Sequence, residues 1–288
     1  MYILLLLSII SASMNSIVLN KVNITKTFQV LKLNLYCSFI WCTVFFIFCR
    51  GSFSFNPTVI LFGIFYGLTQ ALFLVFKTAA MNSGSVSVTT LIGNSSLFIS
   101  VFAGTLIWNE RLLSTDIIGL VLLGCSIYLC VYKKKSSEYK PVWKFYVLLF
   151  FIFAALVGII FKAFGKTDYS DYCNQMMFVA SLVMILCFSI ICFVGGRREN
   201  NKKTSGNTDV KAFVKASFIS GILSCLYNRL NIFLAGNLNA VVFFPVFNGG
   251  VLILSTLLGI AICREHLTGK QYAGLILGVF AICLIGIF

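Results

Sequence analysis

Five residues of one apolar stretch, Ser217, Gly221, Ser224, Asn228 and Asn231, recur at i, i+4, i+7, i+11 and i+14. That spacing sets them on a single face of a helix. Arg229 lies in the same stretch, with about 17 residues of span before it and about five after it, where a central Arg costs roughly 2.5–3.5 kcal/mol to insert. It points about 100° away from Asn228, so it flanks the polar face and reaches it through its long side chain. Gly63, Gly67, Gln70, Leu74 and Lys77 repeat the pattern 154 residues earlier. Amides and hydroxyls on one face can line a polar cavity, and a guanidinium can hold a carboxylate or phosphate in a bidentate contact. The expected substrate-binding residues are therefore Arg229, Asn228, Asn231, Ser224 and Gln70, joined by Asn15, Asn94 and Asn248. Close helix packing on a small-residue stripe is the alternative for the Gly and Ser positions, and snorkelling toward the interface is the alternative for Arg229.

Asn94 and Asn248 sit in parallel stretches, Ile92-Gly93-Asn94-Ser95-Ser96 and Phe247-Asn248-Gly249-Gly250, and Pro245 precedes the second. Such interruptions can open backbone groups to a ligand, with close helix packing as the alternative. All eight carboxylates, Glu110, Asp116, Glu138, Asp168, Asp171, Glu199, Asp209 and Glu265, fall in connections or at span ends, so Arg229 has no evident acidic partner. Glu110 and Glu265 read as structural residues at span junctions, each favouring the N-terminus of the helix that follows. No catalytic residue, metal site or cofactor is expected. His266 is the single histidine, and no HExxH, Cys-x-x-Cys or membrane-embedded carboxylate pair is present. Most of the eleven cysteines fall in apolar runs and read as small buried hydrophobes.

The elements that must carry these residues are membrane helices. The chain has 288 residues, 59 % hydrophobic and only 10 % charged, against about 25 % charged in a soluble domain. Ten apolar spans are expected, about 20 residues being needed to cross a core of roughly 30 Å. They are Met1 to Leu19, Thr27 to Cys49, Thr58 to Phe76, Val86 to Trp108, Asp116 to Tyr132, Trp143 to Phe161, Cys173 to Val194, Ala212 to Leu234, Ala240 to Ile262 and Lys270 to Phe288. With no basic residue before it and no small-residue cleavage site after it, the first reads as a retained helix. Of the 22 Lys and Arg, seventeen fall on the odd-numbered connections, Lys77 among them, and four (Arg50, Arg111, Lys162 and Lys166) on the even ones. Lys and Arg mark the cytoplasmic side, which places the odd connections there and both termini outside. The net charge of +14 points to anionic lipid headgroups as a partner, with no nucleic acid. Oligomeric state, monomer or dimer, is left open by these patterns.

A shift of 155 residues aligns the second half with the first, giving fourteen identities between Ala80 and Leu129, among them Asn82/Asn237, Ser100/Ser255, Gly104/Gly259, Glu110/Glu265 and Gly119/Gly274. Five spans per copy is an odd number, so the second copy is inverted. The expected fold is an all-α polytopic membrane protein of ten transmembrane helices in two inverted five-helix repeats, 1–132 and 145–288, joined by a basic linker, 133–144. Inverted repeats are the architecture of secondary transporters.

Five plus five spans, a Lys closing the first helix of each half (Lys21, Lys162) and the stretches Asn109-Glu110-Arg111-Leu112 leading to Gly119 and Arg264-Glu265-His266-Leu267 leading to Gly274 resemble the EamA-like drug/metabolite transporter superfamily. The resemblance spans the whole chain and implies export or exchange of small organic solutes, with both termini in the cytoplasm; for this chain the charge count argues the opposite orientation. Small multidrug exporters of that superfamily use a membrane-embedded Glu, and the first span here offers Ser11, Ser13, Asn15 and Ser16 instead. The expectation is a multi-pass plasma-membrane transporter or exchanger of an anionic or zwitterionic metabolite, such as an amino acid or sugar conjugate, working by alternating access. A flippase for a lipid-linked phosphate or sugar is the alternative, and an exporter of cations is disfavoured.

Overall fold

A computed structural model of the chain describes residues 1–21, 27–49, 56–84, 86–131, 141–199, 210–263 and 268–287. These form ten α-helices: α1 (Tyr2–Lys21), α2 (Thr27–Cys49), α3 (Pro57–Ser83), α4 (Val86–Trp108), α5 (Ser114–Val131), α6 (Trp143–Gly165), α7 (Cys173–Glu199), α8 (Val210–Asn237), α9 (Ala240–Cys263) and α10 (Gly269–Ile287). Eight are long and apolar enough to cross a bilayer, and the chain is an integral membrane protein. The other two, α5 and α10, have 18 and 19 residues and reach about 27–29 Å at 1.5 Å per residue. Glu265, His266, Arg264 and the linker lysines Lys133, Lys134, Lys135 and Lys140 lie outside the described residues.

Helix starts follow local chemistry. Asn56 caps α3, its side chain accepting from the Thr58 N–H at 2.9 Å, with Pro57 at the first position. At the start of α5, the Asp116 carboxylate accepts from the Leu113 N–H at 3.0 Å, and at α10 the Gln271 amide oxygen accepts from the Thr268 N–H at 2.9 Å. Both are capping-box contacts reaching back across three residues.

The helices pack in a connected pattern: α1 on α8 and α9, α6 on α3, α4 and α8, α2 on α7 and α8, and α3 on α7. The remaining two, α5 and α10, pair with each other, each also touching its neighbour, α4 and α9 respectively. Aromatic side chains fill the α3–α6 seam, where Tyr66 meets Phe161, Phe73 meets Phe150 and Phe62 meets Phe164 at ring separations of 5.1, 5.4 and 5.5 Å. Large apolar side chains such as Leu61, Phe65, Leu106, Ile190 and Ile276 face outward, as a lipid-facing surface requires.

Several boundaries differ from the hydropathy reading by a few residues, and at two of them the helix runs on past a lysine. Helix α3 continues past Phe76 to Ser83, so Lys77 lies within a helix and not in a connection. Likewise Lys162 belongs to α6 and is fully buried. Hydropathy marks a lysine as an edge, whereas a buried partner or an inward orientation lets the helix run on. Losing Lys77 from one tally and Lys162 from the other leaves the excess of basic residues on the odd-numbered connections intact.

Candidate functional site

The polar face of α8 is buried, and its side chains bind across to three other helices. Ser8 of α1 donates to the Asn231 amide oxygen at 2.6 Å, Trp41 of α2 donates its indole N–H to Ser224 Oγ at 2.7 Å, and the Tyr66 hydroxyl of α3 donates to the Asn228 amide oxygen at 3.2 Å. Nearer the odd-numbered connections, Ser220 donates to the half-buried Asn15 of α1 at 2.6 Å. Asn228 returns its NH2 to the Ser224 carbonyl one turn back at 2.8 Å. Polar groups in a span must find partners within the protein, and here the partners knit α1, α2 and α3 around α8.

Trp41→Phe should lower stability by about 1 kcal/mol, the size of one buried hydrogen bond. Thermal unfolding in detergent measures this; Ser224 keeps its bond to the Gly221 carbonyl, so the loss stays small.

The small residues of the two stripes turn elsewhere. A Cβ on Gly63 or Gly67 would meet the α7 backbone, at 2.8 Å from the Met176 oxygen and 2.5 Å from the Ala180 oxygen, and one on Gly221 would meet Ile40 of α2. These glycines are close-packing points for the α3–α7 and α2–α8 seams. The face read from sequence as one lining surface thus divides between packing glycines and inward-facing amides.

Arg229 is half-buried and turns away from the polar face, donating from Nε to the Asn174 amide oxygen at 2.8 Å, in the first turn of α7. It is therefore held at the end of the molecule where α7 begins. Asn248 donates to its own helix at the Phe244 carbonyl, 2.8 Å away, and Asn94 is half-buried on α4. Gln70 faces the same interior as Tyr66, with its Oε1 buried and lacking a hydrogen-bond partner.

The structure brings one further group together that the sequence reading divided. Asn109 ends α4 in the left-handed region, φ 51°, which Asn tolerates better than most residues. The chain then doubles back, with the Glu110 N–H bonding the Gly104 carbonyl at 3.4 Å. This turn aims Glu110 inward, away from the helix that follows it. Its Oε1 forms an ion pair with Lys162 of α6, and its Oε2 accepts from the Ala240 N–H, the first residue of α9, at 2.6 Å. Lys162 also donates to the Leu238 carbonyl at 2.9 Å, where α8 ends. Glu110 thus serves a helix N-terminus, but that of α9 rather than of α5, whose start Asp116 caps. The pair is deeply buried, with side-chain exposures of 0 % and 8 %.

Just beside it α6 and α8 touch backbone to backbone. A Cβ on Gly165 would lie 2.6 Å from Gly236 Cα. One end of the helix assembly is therefore sealed by an ion pair, two helix ends and a glycine contact. At the opposite end α1 and α3, which hold positions comparable to α6 and α8 in chain order, do not form a packed pair among the described residues. No metal-ligating cluster occurs among the described residues.

No family model matches the chain and no curated protein matches it. In fold it is similar to a solved protein, described as "Crystal structure of protein", at a TM-score of 0.71 and 14 % sequence identity over 99 % of this chain and 97 % of that one.

Proposed function

We propose that this chain is a ten-span secondary transporter of small organic solutes, built from two five-helix halves of opposite orientation and working by alternating access. The single observation that carries the reading is the contrast between the two ends: α6 and α8 are sealed at one, and the corresponding α1 and α3 stand apart at the other. The helix pairs support the relation between halves. Exchanging α1–α5 with α6–α10 turns α1–α8 into α6–α3, α1–α9 into α6–α4, α2–α8 into α7–α3 and α4–α5 into α9–α10, while α2–α7, α4–α9 and α5–α10 map onto themselves. Even the caps correspond, Asp116 of α5 matching Gln271 of α10 at the 155-residue shift. Two related halves that can trade conformations expose a central site to each side in turn.

The resemblance to the EamA-like drug/metabolite transporters agrees with this reading, and the plasma membrane is the corresponding location. With the odd-numbered connections in the cytoplasm, the sealed end faces outward and the separated α1 and α3 face inward. The solute class is an anionic or zwitterionic metabolite.

The test is counterflow in proteoliposomes. Vesicles preloaded with one member of a panel of amino acids, sugar phosphates and choline should take up the labelled form transiently above equilibrium, and uptake should saturate. Uptake without counterflow would point to a channel, and movement of a fluorescent lipid phosphate alone would point to a flippase; either would sink the proposal.

A further inference from the structure

The interior-facing side of α3 carries a cation for which neither the packing nor the sealed end has a use. Leu61, Ile64, Phe65 and Leu68 are exposed and define the lipid face of α3. At 100° per residue, Tyr66, Gln70 and Lys77 lie roughly opposite it, with Gln70 and Lys77 about 20° apart around the axis. Tyr66 bears this out, since its hydroxyl reaches Asn228 on α8. Tyr66 and Gln70 are buried, but Lys77 on the same inward face stays partly accessible. Lys77 thus points away from the lipid face, near the end of α3 where α1 and α3 form no packed pair among the described residues.

Among the described residues Lys77 makes no ion pair and no hydrogen bond, its ammonium lying 5.8 Å from the centre of the Phe73 ring. The other two cations deep in the helices are taken, Lys162 by Glu110 and Arg229 by Asn174. Two turns along the same face, Gln70 is 6 % exposed and its Oε1 has no partner. An amide buried without a bond costs on the order of a hydrogen bond, and an amide can offer either an acceptor or donors to a ligand. Phe73, between them, supplies an apolar flank.

We propose that Lys77 and Gln70 are the two polar ends of a solute site reached from the side of the odd-numbered connections. It takes a small organic anion, a carboxylate or phosphate monoester on Lys77, with a hydroxyl or amide about two helical turns, roughly 10 Å, away at Gln70. This deepens the transporter reading and rests on it. It also moves the anion-binding role from Arg229, which the α7 amide holds, to Lys77.

The test is thermal stabilisation of the purified chain in neutral detergent, with inorganic phosphate, glycerol 3-phosphate, glutamate, choline and glucose as probes. Anions should stabilise the wild type and the neutral or cationic probes should not. Lys77→Gln should weaken that binding by at least about tenfold, the loss of a charge-assisted contact, whereas Lys77→Arg and Arg229→Gln should retain it. Gln70→Leu should bring glycerol 3-phosphate down to the level of phosphate while leaving phosphate itself unchanged, which tests the site even if a lysine variant does not fold. Equal stabilisation of wild type and Lys77→Gln, or no response to any anion, overturns the site. Stabilisation by phosphatidylglycerol but by no free anion assigns Lys77 to a lipid headgroup and overturns it as well. Lys77-dependent binding without counterflow would remove the transport reading and leave the site. Counterflow of an anion that is unaffected in Lys77→Gln would do the reverse.

Discussion

Glu110→Ala is expected to be the most damaging single substitution at the sealed end, lowering stability by about 3–5 kcal/mol. The carboxylate both neutralises Lys162 and satisfies the Ala240 N–H at the start of α9. Removing it leaves a buried ammonium with a lone carbonyl partner, Leu238 O, and a helix N-terminus without an acceptor. Lys162→Met should cost less than Glu110→Ala, because Glu110 keeps its bond to α9. The double variant Glu110→Gln with Lys162→Met should recover much of the loss, since a buried ion pair often contributes little over a neutral replacement of similar volume. Thermal unfolding of the wild type, Glu110→Gln, Lys162→Met and their double variant forms a double-mutant cycle. Additive losses would mean that the two side chains act independently, against the geometry. In a transporter the same variants should also unseal this end, raising solvent access to Trp108, whose ring lies 5.9 Å from the Lys162 ammonium.

Gly236→Val is the second large effect. Its Cβ would strike the Gly165 backbone at the α6–α8 crossing, and backbone offers no flexible end to move aside. Overpacking of this kind typically costs 1–3 kcal/mol, and here the release is separation of the two helices. The expected result is a lower unfolding temperature together with faster amide exchange in the last turns of α6 and α8. Unchanged exchange there would show that the strain is relieved elsewhere. Gly67→Val, which would press on the Ala180 backbone of α7, makes a useful control. It should destabilise to a similar degree without altering exchange at the sealed end.

The membrane character and the position of most helices were legible from hydropathy, because lipid demands length and apolarity of each span separately. Interior contacts were legible only where a pattern repeats within one helix. The α8 face showed its periodicity, but nothing in the order of residues reveals that Ser8, Trp41 and Tyr66 complete it from three other helices. A Trp or Tyr in an apolar span does signal that its polar tip needs a partner. Lys77 and Lys162 look alike as lysines at the edge of an apolar run. One turns out to be paired and buried, the other inward-facing and accessible, a distinction made by neighbours far away in sequence. Arg229 stood out because its cost in a span is visible from sequence, while its use of Asn174, an uncharged partner, is not.

The α5–α10 pair has a consequence for biogenesis. Ser126 of α5 is fully buried because its hydroxyl donates to the Gly274 carbonyl of α10 at 2.7 Å, and Gly119 lies against Ile285 of the same helix. Ser126 and Gly274 are 148 residues apart, so at roughly 5–20 residues per second α5 emerges from the ribosome on the order of ten seconds before α10 exists. During that interval its polar notch faces lipid or an insertion chaperone. A chain interrupted before Gly269 keeps that notch permanently uncovered, which gives cellular quality control a structural mark by which an unfinished copy differs from a complete one.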